Sequence, residues 1–388
     1  MKCVKWCAVI IFILFLLANI VLTAFGVTSI FFFSVIITVT FLISEAILKI
    51  AGCDRNTKGN MRVLISSVFI ALIIGEIILR ISGKYDSYRE QNGDFFYTTV
   101  YAPAIAAKLD KKTLIHVFDE NLMDLINNAE SIKPKPLDEY RIFALGDSFT
   151  EGVGSSSDST WLKLLEKDLN KKIKVKTIKT INAGISGNDP LFEYLILKET
   201  LLKHEPDMVI IAVNSSDIDE IIVRGGMERF RLDSTIRFKS GPWFEILFGT
   251  SYICRFVVLN VFKYDWLFLS PGERKAEKDK ALSHIYSSIL MFEELSKKKY
   301  FNLLIVFHPL IEEVISVRYD FDELILTLNE ETHIPVLDLL DYYLDHENMN
   351  RNNVSEYYLT VDKHHNAKGY EAFARGVGKK IRELGWVN

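Results

Sequence analysis

Three patterns of apolar and polar residues follow one another along this chain. The first is continuous. Trp6 to Phe25 is a run of 20 residues without a charge, and at about 1.5 Å per residue a helix of that length spans about 30 Å, the thickness of a bilayer core. Val27 to Ser44 is a second uncharged run, and Val63 to Leu79 is a third, shorter and interrupted by Glu76. Residues 1–81 therefore read as a membrane anchor of about three helices. The second pattern, over residues 82–137, is mixed and reads as a connector. Phe95-Phe96-Tyr97 is β-like, His116 to Ala129 suits a helix, and Lys133-Pro-Lys-Pro136 marks a boundary that regular structure does not cross easily.

The third pattern, from residue 138 to 388, alternates. Strand-like runs at Arg141–Leu145, Val175–Asn182, Met208–Val213, Leu303–His308 and Pro335–Leu339 are separated by helical runs. These are Asp158–Leu169, Pro190–His204, Lys280–Lys299, Phe321–Glu331 and Ala367–Leu384. Strand-helix alternation predicts an α/β domain with a mostly parallel sheet covered on both faces. Met208–Val213 is apolar throughout, as a strand buried on both sides should be. One interval breaks the rhythm. Residues 219–279 form an insertion too long for an ordinary loop. It holds an arginine-rich stretch with Arg224, Arg229 and Arg231, then an aromatic and aliphatic stretch from Pro242 to Leu269. A cap, a lipid-touching surface and an added helical pair are all compatible with it.

Charge placement orients the anchor. Lys2 and Lys5 precede the first run, and Lys49, Arg55, Lys58 and Arg62 lie between the second and third. Basic residues favour the cytoplasmic side. With three crossings, everything after about residue 82 is expected outside the cytoplasm, periplasmic or extracellular. The location thus depends on whether Val63–Leu79 crosses. A net charge of -4 over 388 residues argues against a nucleic-acid binder. The four cysteines, Cys3, Cys7, Cys53 and Cys254, form no zinc or disulfide pattern. No cofactor or metal is expected, and the oligomeric state is left open.

The chemistry gathers where strands should end. Tyr140 to Leu145 runs as a strand into Gly146-Asp-Ser148, and a helix follows. A serine at the carboxyl end of a strand stands where open α/β sheets place ligands. Asn182-Ala-Gly-Ile-Ser-Gly-Asn188 follows the second strand, and Asn214-Ser-Ser-Asp217 follows the third. Both can offer oxyanion donors. Near the C-terminus, Asp362-Lys-His-His365 brings an acid and two bases before the last helix. Singly, each piece also serves as turn or capping chemistry.

Together and in this order the four blocks resemble the SGNH (GDSL) hydrolase family over roughly residues 138–388, the insertion excepted. The resemblance implies a flavodoxin-like three-layer α/β/α domain with a parallel sheet behind the transmembrane helices. It implies Ser148 as nucleophile, Gly187 as an oxyanion N–H donor, and Asp362 and His364 as acid and base. It also implies action on acyl esters without a metal. Two departures stand out. Where the family's third block carries an Asn donor, alignment on Asp217 finds Ser216, with Asn214 two residues earlier. Asp-x-x-His spacing selects His365, whereas counting back from Asn366 and Gly369 selects His364. The expected activity is that of a serine esterase or acyl (acetyl) transferase on acylated cell-envelope carbohydrate or lipid. A lipase, lysophospholipase or thioesterase, and an inactive envelope scaffold, are the alternatives. The expected partners are the membrane and an acyl-ester substrate.

Overall fold

The computed structural model describes residues 38–39, 42–43, 45–47, 54–86, 134–172, 176–230, 239–360 and 362–387. The run Trp6–Phe25, most of Val27–Ser44, the pieces at residues 95–97 and 116–129, and Arg231 lie outside the described residues. The chain divides into two compact units. One holds Met1–Pro103 with Ser240–Arg274; the other holds Ala104–Lys239 with Lys275–Asn388.

In the first unit the third apolar run forms α1 (Arg55–Ser82). Asp54 caps its start by accepting from the backbone N–H groups of Asn56 and Thr57, and left-handed Gly83 ends it. The helix is longer than the uncharged run that predicts it, because Lys58 and Arg62 continue the helical register on the N-terminal side. Asn56–Ser82, 27 residues, is long and apolar enough to cross a membrane. Val63, Leu64, Val68, Ile70, Ile74, Ile77, Ile78 and Ile81 are exposed along it.

The second unit carries the alternating pattern. In chain order it runs β1 (Glu139–Gly146), α2 (Ser148–Glu151), α3 (Trp161–Lys172), β2 (Thr177–Gly184), α4 (Pro190–Ile196), β3 (Met208–Val213) and α5 (Ser216–Arg224). The chain then enters the first unit, where α6 (Glu245–Thr250) and α7 (Tyr252–Phe256) lie. It returns through α8 (Pro271–Lys299), β4 (Asn302–Phe307), α9 (Ile311–Ser316), α10 (Asp322–Glu331), β5 (Val336–Asp338), α11 (Leu339–Asp345) and α12 (Ala367–Glu383).

The five strands pair in the order β2-β1-β3-β4-β5, all parallel, with Gly146 opposite Gly184 at one end. This is the flavodoxin-like order, and the strand sequence reverses between β1 and β3. Right-handed crossovers place α3 and α4 on opposite faces, because β1 steps one way to β2 and β2 steps back to β3. On one face α3 packs on β2 and α12, with Trp161 stacked on Phe373 at 4.5 Å between ring centres. On the other, Tyr194 of α4 meets Phe292 of α8 edge to face. Ile142, Phe143, Leu145, Val209, Ile210, Ile211, Ile305 and Val306 are fully buried between the two layers. The expected parallel α/β sheet is thus present.

Three local readings need correction. Pro190–His204 is not one regular helix: α4 passes into a π-turn at Leu197–Leu201 and a 3-10 turn at Leu202–His204. Residues 216–224, partly assigned to the insertion, are the amphipathic α5, which buries Ile218, Ile221 and Ile222 within the second unit. Leu339 begins a helix rather than ending a strand, because the Asp338 carboxylate accepts from the N–H groups of Leu340 and Asp341 and so caps α11.

Candidate active site

All the motif residues collect at the carboxyl edge of the sheet. Ser148 opens α2 directly after β1, with Asp147 as N-cap. The turn has no room for a side chain at Gly146, where a Cβ would run into Thr150, or at Gly184, where it would strike the backbone of Thr150 and Glu151. The block after β2 is tied to α2 by several bonds. Asn182 donates its amide to the Thr150 carbonyl at 2.7 Å and accepts from the Gly184 N–H at 2.9 Å. Ile185 N–H donates to the Gly146 carbonyl at 3.0 Å, and Ser186 N–H to the Glu151 carboxylate at 2.7 Å. Gly187 follows with φ of 70°, a left-handed conformation that favours glycine. Asp189 then caps α4.

The C-terminal block reaches the same place from the far end of the chain. His364 Nε2 lies 2.7 Å from Ser148 Oγ, and its Nδ1 lies 3.3 Å from Asp362 Oδ2. Asp362 Oδ1 also accepts from the His364 backbone N–H at 3.2 Å, which holds the acid beside its own histidine. Ser148, Asp362 and His364 are all partly exposed, so a substrate can reach them. The two adjacent histidines separate completely. His365 is fully buried, bridges to Tyr358 in an antiparallel pair, and sits 3.3 Å from the Tyr343 hydroxyl. Burial holds its imidazole neutral, down to about 3. The two side chains part because the chain is extended at the 358–365 bridge, where successive side chains alternate in direction.

Asn214 is not placed as a free donor. It is fully buried. Its Oδ1 accepts from Ser216 N–H at 2.8 Å, which fixes which way the amide faces. Its Nδ2 then donates to Asp147 Oδ2 at 2.8 Å and points at His308 Nε2 at 3.2 Å. Both amide hydrogens are engaged. Ser216 is half-buried, with its hydroxyl 2.6 Å from Asn214 Oδ1 and 3.2 Å from Asp147 Oδ2.

Two residues of this network have no role in the motif reading. Asp147, buried, accepts from Phe149 N–H at 2.9 Å as well as from Asn214 and Ser216, so it ties the serine turn to the third block. Burial raises its carboxyl above the usual range despite those bonds. His308, directly after β4, is buried and held well below the ordinary imidazole range by burial first and by His365 and His364 next. A neutral ring suits its role as acceptor from Asn214. Its position at a strand end was the available signal. Phe149 packs against three histidine rings, with centres 4.9 Å from His308, 4.7 Å from His364 and 5.2 Å from His365.

Behind the Gly187 loop lies a buried charged layer. Asp189 and Arg229 form a two-bond pair at 2.7 Å each, both essentially without exposure. Glu193 and Asp217, also buried, are pushed well above the usual carboxyl range by burial and then by neighbouring carboxylates. Arg224 pairs with Glu220. The arginines of the 224–229 stretch therefore have carboxylate partners within the fold.

Residues 144–241 match the model of the GDSL-like lipase/acylhydrolase family, so the resemblance read from the motifs holds for the segment with Ser148, Gly187 and the third block. The match ends before Asp362 and His364. No curated protein matches the sequence significantly. Among solved structures, a lipase/acylhydrolase from Enterococcus faecalis is similar at 14% identity and a TM-score of 0.38, covering 63% of this chain and 96% of that one. An acetylxylan esterase from Geobacillus stearothermophilus is similar at 17% identity and a TM-score of 0.40, covering 64% and 96%.

Proposed function

We propose that this chain is a membrane-anchored serine esterase or acyltransferase in which Ser148, His364 and Asp362 form the catalytic triad. The observation that carries the reading is the 2.7 Å approach of His364 Nε2 to Ser148 Oγ with Asp362 at 3.3 Å on the opposite ring nitrogen. In this mechanism His364 takes the proton of Ser148 as Oγ attacks an ester carbonyl. Asp362 holds the ring tautomer with hydrogen on Nδ1 and stabilises the imidazolium. The backbone N–H groups of Ser148 and Gly187 receive the developing oxyanion. Ser216 is the third donor: its hydroxyl hydrogen, which rests on Asn214 Oδ1 or Asp147 Oδ2, turns to the oxyanion by rotation about one bond, whereas both amide hydrogens of the buried Asn214 are held by Asp147 and His308. His364 then protonates the leaving alkoxide. Water or a sugar hydroxyl attacks the acyl-serine, and the acyl group leaves on that acceptor.

An acylated carbohydrate or lipid of the cell envelope is the substrate class that suits a site anchored beside a bilayer and facing outward. That orientation rests on three crossings and on the basic loop before α1. A long-chain lipid ester is the second reading, favoured by the exposed apolar residues Trp243, Phe256, Val261 and Phe262 of the inserted segment.

The test is labelling of the purified full chain with a fluorophosphonate, wild type beside Ser148→Ala. Labelling confined to the wild type is expected. Absence of labelling in both would remove the enzyme reading and leave an envelope scaffold. Turnover of acetylated sugars against long-chain acyl esters then separates the two substrate classes.

A further inference from the structure

The segment Ser240–Arg274 belongs to the same compact unit as α1, and the bonds between them are concentrated on one acidic residue. Glu76 interrupts the apolar run of α1, yet only 2% of it is exposed. Its carboxylate accepts from the backbone N–H of Tyr252 at 2.9 Å, the N–H of Ile253 at 3.0 Å and the Ser251 hydroxyl at 3.0 Å. Arg80, one turn on, pairs with Glu76 at 2.8 Å and donates to the Thr250 carbonyl at 2.6 Å. Arg255 reaches back to the Tyr85 carbonyl at 2.8 Å, and the Tyr252 hydroxyl donates to Asp86 at 2.8 Å. A carboxylate facing lipid would be costly. Here the inserted segment covers it and satisfies it.

The depth of this contact is set by the helix. Glu76 lies six residues before Ser82, the last residue of α1, so it is about 9 Å from the helix end. The core that fits the apolar run begins at Val63, after Arg62, and 20 residues from there reach Ser82, about 30 Å, so Glu76 lies about 9 Å inside its C-terminal end. The hydrogen bonds named above run from Glu76 to Asp86, from the last two turns of that core to just past its end. The outer surface of the segment is apolar and aromatic. Trp243 is 83% exposed, Val261 and Phe262 60%, Phe256 40% and Trp266 39%. Large aromatic residues at this level are the composition of a membrane interface. Ile77, Ile78 and Ile81, on the last two turns of α1, are exposed as well.

We infer that residues 240–274 are an interfacial membrane element, docked on α1 through Glu76, whose exposed aromatic and aliphatic side chains rest in the lipid leaflet at the C-terminal end of α1. Glu76 is then the acceptor that seats this element, and its place in the apolar run follows from that. The inference does not depend on the esterase reading.

The test uses the full chain, with its four cysteines replaced by alanine, in phosphatidylcholine–phosphatidylglycerol bilayers. A bimane fluorophore is placed at Phe262→Cys, at Val68→Cys on the exposed middle of α1, and at Tyr300→Cys in the other unit. Headgroup-level spin-labelled lipid is expected to quench the Phe262 position at least about threefold more than the Tyr300 position. Equal quenching at these two positions, together with strong quenching at Val68 by an acyl-chain spin label, overturns lipid contact. In a second experiment, hydrogen exchange is followed in Glu76→Ala. Loss of a carboxylate acceptor is expected to speed exchange at Tyr252 and Ile253 about tenfold or more. Unchanged protection there overturns the role of Glu76. Glu76→Gln, which keeps one acceptor oxygen, is expected to fall between the two.

Discussion

His364 and His365 are neighbours in sequence with opposite fates. One imidazole meets Ser148 and stays partly exposed; the other is sealed against Tyr343, Tyr358 and Phe149. The buried ring has a consequence for pH dependence. Its folded value lies near 3, below the ordinary 6.5 of an unfolded chain. The stability it contributes is therefore present above about pH 6.5 and is lost as the pH falls from there toward 3. Compared with His365→Gln, the wild type is expected to lose up to about 1.4 kcal/mol per pH unit over that window. Denaturant midpoints of both proteins at pH 7, 5.5 and 4.5 measure it; a difference that does not change with pH contradicts a buried neutral ring. The same scale decides the third oxyanion donor. Ser216→Ala is expected to lower kcat about a hundredfold while leaving the unfolding midpoint nearly in place. An unchanged kcat would mean that the two backbone N–H groups suffice.

At the scale of elements, the site depends on how closely α2 lies on the end of β2. Gly184 makes that approach possible, since any Cβ there meets the backbone of Thr150 and Glu151. Gly184→Ala is expected to cost about 3 kcal/mol, at the upper end of overpacking penalties, because rigid backbone rather than a mobile side chain must give way. Thermal unfolding and fluorophosphonate labelling should both fall; a variant of wild-type stability would show that α2 can move. The Asn182 bonds to Thr150 and Gly184 act on the same joint. Much of this was legible beforehand as a glycine-rich block after the second strand. The partners of Asn214 were not, because a side-chain amide's direction depends on Asp147 and His308, which come from other strands.

For the whole molecule, the orientation proposed from the basic residues can be checked directly. Tyr300 is 92% exposed in the second unit. In the cysteine-free background, Tyr300→Cys is expected to react with a membrane-impermeant maleimide in intact cells before lysis. Reaction only after lysis would place the second unit in the cytoplasm and require an even number of crossings. Either outcome leaves the approach of His364 to Ser148 and Asp362 unchanged.

Periodicity alone determined the α/β class and the strand positions to within a few residues, and it put the serine and glycine blocks at strand ends. These follow from local chain physics: apolar run length, capping residues and glycine at tight turns. The acid-histidine block before the last helix was picked out by its resemblance to a known family. The third apolar run was legible as a helix too, but Val63–Leu79 covers only part of the 27 residues of Asn56–Ser82. Tertiary structure decided what depends on direction and on distant partners. It separated His364 from His365 through the pairing with Tyr358, and it turned the Asn214 amide inward. It also converted Glu76 from a flaw in an apolar helix into the acceptor for Tyr252 and Ile253, 176 and 177 residues away. A side chain's partners are set by the packing of remote segments, and no local pattern carries that information.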